Sequence, residues 1–285
     1  MIAILGGLGT ALLWATTLLG SQRSSRLIGA WSTLAWVMLV GLVVAVPLVL
    51  LTGTNVSLDG RDLLHLAVAG VANSGGLLLV YTALRRGKVG VVGPIVSTEG
   101  AIGATLAVLA GDPISGAAIG ILALIAVGVI MASIERSNAP ADGEPEVSAL
   151  VTAAIALAGA LLFGINLYVT SRLATDLPLA WAVLPARVAG VVGVTIPLLI
   201  GRRLRLTRSA VPFVILVGLA EVAGVVTFSL GARESAPITA VIASQFAGIA
   251  AIAAFLLYGE RLTRVQVAGV VVIAVGVASL AFLQA

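Results

Sequence analysis

The stretch Val-Gly-Val-Val-Gly-Pro-Ile-Val-Ser-Thr-Glu-Gly-Ala-Ile-Gly-Ala-Thr-Leu-Ala-Val-Leu-Ala, residues 89–110, decides how the chain is interpreted. It is long enough to cross a bilayer as one helix, since a spanning helix needs about 20 apolar residues. It nevertheless carries a proline, Pro94, and a carboxylate, Glu99, near its midpoint. A charged carboxylate at the centre of a membrane helix costs roughly 2.5–3.5 kcal/mol on insertion scales, so it usually faces protein or water. Glu99 is therefore the first candidate functional residue.

The composition of the whole chain is that of a membrane protein. Of its 285 residues, 60% are hydrophobic and only 10% are charged, and the mean hydropathy is +1.18. The chain has no cysteine and a single histidine, which excludes disulfides, thiolate metal sites and a histidine cluster for zinc. We therefore expect no metal and no cofactor. The first apolar run has no basic leader and no small-residue cleavage site, so we expect it to be a retained span.

Uninterrupted apolar windows predict ten transmembrane helices. They cover residues 2–20, 28–51, 63–84, 89–110, 114–133, 148–170, 178–200, 210–231, 236–258 and 264–283. The longest connection is polar and rich in proline and glycine, and it divides the spans into two sets of five. We predict an all-α membrane protein with a first five-helix repeat at 1–134, a polar linker at 135–147 and a second repeat at 148–285.

The two predicted repeats resemble each other when the first is shifted by 148 residues. The shift places Asn73 on Glu221 and residues 125–129 on 273–277. Small adjustments equate two further pairs, Trp14 with Phe163 and Thr98-Glu99 with Ser244-Gln245. Because each repeat has an odd number of spans, the second would enter the membrane from the opposite side. Inverted repeats of this kind occur in many secondary transporters.

Basic residues in the connections predict the orientation of the chain. Twelve of them fall on one side of the ten-span arrangement and three on the other. The positive-inside rule makes the first side cytoplasmic and puts both termini outside. The net charge of +4 is thus a topology signal rather than a surface for nucleic acid. The expected location is the plasma membrane of a prokaryote.

Five polar residues lie near the centres of predicted spans: Asn73, Glu99, Arg187, Glu221 and Gln245. The predicted repeat pairs Asn73 with Glu221 and Glu99 with Gln245, so each pair contains one acid and one amide. If these side chains meet in a cavity, the carboxylates would bind a proton or a cationic group in competition, as proton-coupled exchange requires. Arg187 would pair with an acid or hold a substrate carboxylate.

The polar residues also have structural interpretations. The amides of Asn73 and Gln245 can hydrogen-bond across helices, and Glu221 with Arg187 can form a buried bridge that fixes helix register. Trp14 would line the same cavity, although aromatic residues at helical spacing more often serve packing.

Two further runs carry a resemblance to a known family. The run Gly259-Glu260-Arg261-Leu262-Thr263-Arg264-Val265-Gln266-Val267-Ala268-Gly269, followed by residues 273–277, resembles the end of an EamA domain, and residues 81–94 resemble its middle part. With the two-times-five pattern, the chain resembles the EamA family of the drug/metabolite transporter superfamily. The resemblance implies a transporter, often an exporter, whose cavity is formed by spans 1, 3, 4, 6, 8 and 9. It places Arg187 in a span that gates the cavity rather than lines it.

The second run also predicts a local structure. Thr263 and Gln266 have the spacing of a capping box that opens the last span. Glu260, just before it, is therefore expected to shape a turn rather than to touch substrate.

We expect a secondary transporter that moves an amino acid, metabolite or drug-like solute by alternating access, by proton coupling or exchange, with export favoured. A lipid or lipid-linked carrier fits the same scaffold, whereas a passive channel would need a continuous polar stripe. An enzyme is not expected, because the chain lacks a His-Glu metal motif, a serine with a histidine base and a second carboxylate near Glu99. The expected partners are a small-molecule substrate, protons and the bilayer, with no nucleic acid, in a monomer or homodimer.

Overall fold

The computed structural model describes residues 1–52, 58–111, 115–133, 149–171, 180–243 and 245–283, and within these ranges every regular element is a helix. A π-helical turn at Val191–Thr195 joins α8 to α9. The helices are α1 (Ile2–Ile28), α2 (Ala30–Thr52), α3 (Gly60–Arg86), α4 (Val89–Val96), α5 (Glu99–Leu109), α6 (Gly116–Ser133), α7 (Ala149–Ser171), α8 (Ala180–Gly190), α9 (Ile196–Ile200), α10 (Val211–Ala243), α11 (Phe246–Tyr258) and α12 (Arg264–Leu283).

Six helical segments are long and apolar enough to cross a membrane. They are Ile2–Ile28, Ala30–Leu51, Gly60–Arg86, Ala149–Thr170, Val183–Ile200 and Val211–Glu234. Four shorter apolar segments accompany them: Val89–Gly103, Ile119–Met131, Phe246–Tyr258 and Arg264–Ser279. Large apolar side chains such as Val43 and Ile252 are exposed on the outer surface, as lipid contact requires. The all-helical membrane class is confirmed, whereas the count of ten spans and their inverted orientation stay predictions.

The helices of the first half pack chiefly against helices of the second half. The largest interfaces are those of α1 with α10, α3 with α7, and α6 with α12. The main core cluster accordingly mixes residues of both halves, for example Leu34 and Tyr81 with Val217 and Ala250. The interface between the halves is therefore the core of the molecule.

Positions that the 148-residue shift equates make equivalent contacts across this interface. A Cβ atom built on Gly76 would lie 2.7 Å from the ring of Phe163, and one built on its mate Gly224 would lie 2.5 Å from Trp14 Nε1. Each glycine thus makes room for the aromatic ring of the other half. Small residues at such points let helix backbones approach closely.

The α6–α12 pair repeats this reciprocity. A Cβ on Gly128 would lie 2.9 Å from Ile273 Cγ1, and a Cβ on Gly276 would lie 2.6 Å from Ile125 Cγ1. The 148-residue shift equates Gly128 with Gly276 and Ile125 with Ile273. Reciprocal contacts of this kind are what a two-fold relation between packed units produces.

The stretch 89–110 is interrupted, and the prediction of one continuous helix there is wrong. The chain leaves the helix at Ser97 and Thr98, between α4 and α5. Ser97 Oγ donates a hydrogen bond to Pro94 O at 2.8 Å, and Thr98 Oγ1 donates to a carbonyl three residues earlier at 2.7 Å. The Ser97 hydroxyl thereby satisfies Pro94 O, which loses its helical partner because Thr98 N donates to Ile95 O instead. Glu99 is consequently the first residue of a helix rather than the middle of one.

Spans 8 and 9 are predicted to be separate helices joined at residues 232–235. The structure instead has one helix, α10, that continues through these residues. The chain nevertheless reverses there. In a straight helix Gly231 and Thr239 would be separated by about 12 Å along the axis, whereas a Cβ on Gly231 would lie 2.8 Å from Thr239 Oγ1. The second half then mirrors the first half's interruption, since α10 ends at Ala243 and α11 begins at Phe246.

The predicted capping box at the start of α12 is confirmed. Thr263 N donates to Gln266 Oε1 at 3.0 Å, and Gln266 N donates to Thr263 Oγ1 at 3.3 Å. The predicted linker, residues 135–147, lies outside the described residues, and so do the predicted repeat boundaries at 134 and 148.

Candidate functional site

A central cavity of about 210 Å³ lies between the two halves. Its walls come from α1, α3, α4 and α5 of the first half and from α7, α10 and α11 of the second, which correspond to predicted spans 1, 3, 4, 6, 8 and 9. The lining residues are Trp14, Thr17, Leu18, Asn73, Leu77, Val80, Tyr81, Val96, Glu99, Phe163, Asn166, Leu167, Thr170, Glu221, Val225, Phe228, Ser229 and Phe246.

Four of the six candidate site residues line this cavity: Trp14, Asn73, Glu99 and Glu221. Arg187 does not line it and is buried behind Glu221. Gln245 does not line it either, because it is exposed at the N-terminal end of α11. The structure therefore brings together both acids, one amide and one aromatic residue.

Glu99 is the acid in the cavity that has no ionic partner among the described residues. It occupies the first turn of α5, where the helix dipole favours a negative charge. The helix α5 lies close to α7, because a Cβ on Gly164 would be 2.5 Å from Ile102 Cγ2 and 3.1 Å from Glu99 O. No lysine, arginine or histidine is among the described residues that line the cavity. The carboxyl group of Glu99 is therefore available to an occupant or to a proton.

Glu221 lies between the cavity and Arg187. The two charged groups form an ion pair with 3.9 Å between Arg187 Nη2 and Glu221 Oε1, which is beyond hydrogen-bond distance. Arg187 also contacts Met38 Sδ through Nη1 at 3.6 Å. Its guanidinium group fits because residue 41 is glycine, where a Cβ would lie 2.6 Å from Arg187 Nε. Arg187 compensates the charge of Glu221 from the side away from the cavity.

Two buried polar atoms of the cavity wall have no hydrogen-bond partner among the described residues. They are Asn73 Oδ1 and the hydroxyl of Tyr81. An unsatisfied buried polar group costs about 1–3 kcal/mol, so such groups are rare unless something binds to them. Both atoms are therefore positioned to bond an occupant of the cavity.

Aromatic rings from both halves form one side of the cavity. Trp14 stacks on Phe228, with ring centroids 5.9 Å apart and an interplanar angle of 19°. It also meets Phe246 edge-on, with centroids 5.8 Å apart and an angle of 90°. These contacts hold the indole of the first half between two rings of the second half.

Glu260 lies outside the central cavity, in the connection before α12, and its carboxylate accepts hydrogen bonds from the first half of the chain. Its Oε1 atom accepts a hydrogen bond from Gln22 Nε2 at 2.8 Å, and its Oε2 atom accepts one from Gly90 N at 3.2 Å. Lys88 Nζ donates to the carbonyl of the neighbouring Arg261 at 3.2 Å. The loop before α12 is thereby bonded to α1 and to the first turn of α4, across the two halves.

Comparisons with known proteins identify the first half of the chain. A family model described as the EamA-like transporter family matches residues 1–134. This half of the chain is similar to the EamA-like transporter family. The matched residues coincide with the predicted first repeat and include Trp14, Asn73 and Glu99, so the resemblance deduced from the sequence is confirmed there.

A solved structure shares the fold of the whole chain. This structure, described as "Crystal structure of protein", superposes with a TM-score of 0.68 at 16% sequence identity and covers 99% of this chain and 97% of its own. No curated protein matches the chain. The family match covers less than half of the chain, and the solved structure shows a shared fold alone.

Several lining residues of the EamA-like site escaped the sequence analysis. Asn166 is a polar residue inside a predicted span, and that signal could have identified it. Tyr81 lies in the run 81–94 that resembles the family. Thr17, Phe228 and Ser229 carry no signal, because their residue types are common in membrane helices. No group of three or more metal-ligating acids and histidines occurs among the described residues.

Proposed function

We propose that this EamA-like protein is a secondary transporter that moves a small organic solute with a cationic amino group across the bilayer by alternating access. Glu99 is the residue that carries the proposal, since it is an acid in the central cavity without a basic partner among the described lining residues. A protonated amine or a proton would neutralise it. The two would compete for one carboxylate, which provides coupling or exchange.

The charge balance of the cavity supports a cationic occupant. The ion pair with Arg187 compensates Glu221, so a cationic occupant or a proton would balance the remaining carboxylate, Glu99. A carboxylate solute without an amine would meet two acids and no exposed cation. The predicted alternative, in which Arg187 holds a substrate carboxylate, would require Arg187 to move past Glu221.

The hydrogen-bonding groups of the wall narrow the solute class further. Asn73 Oδ1 accepts a hydrogen bond and thus suits an N–H or O–H group, while the hydroxyl of Tyr81 donates or accepts. The rings of Trp14, Phe163 and Phe228 suit an apolar portion or the face of an ammonium group. An amino acid or a small amine has this combination of groups.

The size of the cavity separates the proposed solute from the alternatives. Sites for drug-sized ligands have volumes of roughly 300–1,000 Å³, and this cavity has about 210 Å³. A lipid with its acyl chains would not be enclosed. A passive channel would need polar side chains along the full depth, whereas the polar groups here cluster around the two acids.

Ligand binding to the purified protein tests the proposal. Wild type and Glu99→Gln are screened by thermal shift against primary amines, amino acids and simple carboxylates. We expect amines or amino acids to raise the melting temperature of wild type, and Glu99→Gln to bind them about 10–100-fold more weakly, the loss of one charge-assisted hydrogen bond. Proteoliposomes with an imposed pH gradient should then exchange the ligand for wild type only.

Glu234→Gln is the matched control, because it removes an exposed acid outside the cavity. Its ligand affinity should equal that of wild type. Stabilisation by carboxylates alone, or unchanged amine affinity in Glu99→Gln, would contradict the role of Glu99. Binding without exchange in proteoliposomes would contradict alternating access.

The predicted orientation completes the proposal. With both termini outside, the second half is inverted relative to the first, and the seam between the halves is where alternating access would occur. Export is the expected direction, as the family resemblance implies.

A further inference from the structure

A second, open cavity of about 840 Å³ lies at the end of the bundle where α1 and α3 end and where α2 begins. It shares no residue with the central cavity. On the predicted topology it faces the cytoplasm. It is lined by Ile28, Gly29, Ala30, Trp31, Ser32, Thr82, Arg85, Arg86, Leu198, Arg202, Arg203 and Arg205.

Five arginines line this basic cavity: Arg85, Arg86, Arg202, Arg203 and Arg205. No carboxylate is among the described residues that line it. Their side chains form no hydrogen bond or ion pair with another residue in the described part of the chain. Five like charges around one concave surface repel one another unless an anion lies between them.

The positive-inside rule does not explain this concentration. That rule depends on the number of basic residues in the connections and not on their convergence in a cavity. Arg208 and Arg264 also lie on the predicted cytoplasmic side and count equally toward the positive-inside rule. Neither of them lines the basic cavity. Elsewhere at this end Glu260 lies next to Arg261, whose carbonyl accepts a hydrogen bond from Lys88, so these two basic residues have an acid nearby.

The arginine-bearing segment is held in place by the fold. Arg205 N donates to Ser32 Oγ at 3.1 Å, and Trp36 Nε1 donates to Arg205 O at 3.0 Å. Arg202 has a φ of 50°, a left-handed conformation that is unfavourable for a side chain of its size. The backbone that carries Arg202, Arg203 and Arg205 is thus bonded to α2, which keeps these arginines beside the basic cavity.

We propose that the basic cavity is a binding site for a phosphate-bearing anion with two or more negative charges. Guanidinium groups bind phosphate oxygens in pairs of parallel hydrogen bonds, and arginine is the residue best suited to this geometry. The ligand is either the headgroup of an anionic lipid or a soluble phosphate compound. Trp31, an exposed indole at the rim, is of the type found at the headgroup level of membranes.

Thermal shift titrations of the detergent-purified protein test the site. Sodium pyrophosphate, with sodium chloride at matched ionic strength as reference, is the soluble probe. Phosphatidic acid in mixed micelles, with phosphatidylcholine as reference, is the lipid probe. The variants are Arg85→Gln/Arg203→Gln within the cavity and Arg208→Gln/Arg264→Gln as the control with the same loss of charge.

We expect at least one probe to stabilise wild type, and the apparent dissociation constant of the cavity variant to rise by about tenfold or more. The control variant should stay within about twofold of wild type. A response to pyrophosphate identifies a soluble phosphate ligand, and a response to phosphatidic acid alone identifies a lipid headgroup. The absence of any response, or an equal loss in both variants, would overturn the site.

Protection of the arginines from chemical modification tests the same site in the wild-type protein. Phenylglyoxal modifies accessible arginines, and mass spectrometry locates the modified residues. The active probe should slow the modification of Arg202 and Arg203 but not that of Arg208. Equal protection of all three would reduce the effect to general screening of charge and overturn the proposal.

Discussion

Replacing Glu221 with glutamine should destabilise the protein strongly, because it leaves Arg187 charged and buried without its partner. The charged atoms are 3.9 Å apart, and Coulomb's law with an effective dielectric constant of about 20 gives about 4 kcal/mol for that distance. Removing one partner of a buried ion pair costs about 3–5 kcal/mol in other proteins. For a chain of this size the melting temperature should fall by about 10 °C.

The assay is thermal unfolding of the purified protein in detergent, for Glu221→Gln, Arg187→Met and the double variant. The double variant should be more stable than the sum of the two single effects predicts, by about 2 kcal/mol or more, since it removes both charges. Glu99→Gln is the matched acid-to-amide control and should not destabilise the protein, because Glu99 has no ionic partner among the described residues. If Glu221→Gln unfolds no earlier than Glu99→Gln, or if the single effects simply add, the ion pair does not stabilise the fold.

Two further predictions concern packing and topology. Gly224→Ala should destabilise the protein by about 1–3 kcal/mol and change the tryptophan fluorescence, because the added methyl group would overlap the indole of Trp14. Gly248→Ala, which meets no atom within 4 Å, should be neutral or stabilising by up to about 1 kcal/mol, and equal effects of the two would refute the packing argument. Single cysteines at Arg205 and Ala285 should react with membrane-impermeant reagents from opposite sides of the membrane, and labelling from one side would refute the predicted topology.

Some contacts between the halves could be predicted, because rare residues stand at positions that the predicted repeat equates. Trp14 and Phe163 stand out among alanine, valine and leucine, and each lies against a glycine of the opposite half. The acids at positions 99 and 221 could also be predicted as cavity residues, because a carboxylate in an apolar segment has few other places to lie.

The position of Gln245 could not be predicted from its pairing with Glu99. That pairing requires a two-residue gap, and a shift of two residues turns a helix face by about 200°. Gln245 accordingly lies exposed at the start of α11 and not in the cavity. An alignment of residue types does not report this rotation.

The helix interruption before Glu99 left no mark in the hydropathy. Ser97 and Thr98 satisfy backbone carbonyls through their own hydroxyls, so the break needs neither a polar stretch nor a glycine. A proline often kinks a helix, but here the helix continues through Pro94 and ends after Val96.

The depth of Arg187 depends on packing that the sequence does not reveal. Its guanidinium group lies behind Glu221 because Gly41, on another helix, leaves space there. Hydropathy placed Arg187 within a span correctly. The direction of its side chain follows from the rotation of α8 against α2, which only the assembled structure defines.

Opposite walls of the central cavity belong to different halves of the chain. The indole of Trp14, in the first half, therefore packs against the rings of Phe228 and Phe246 in the second half. Any sliding of one half past the other must reshape the chamber and alter the separation of its two acids. A solute can drive such sliding only through the difference between its affinities for the two arrangements. A molecule that fitted both equally well would be bound tightly and carried nowhere.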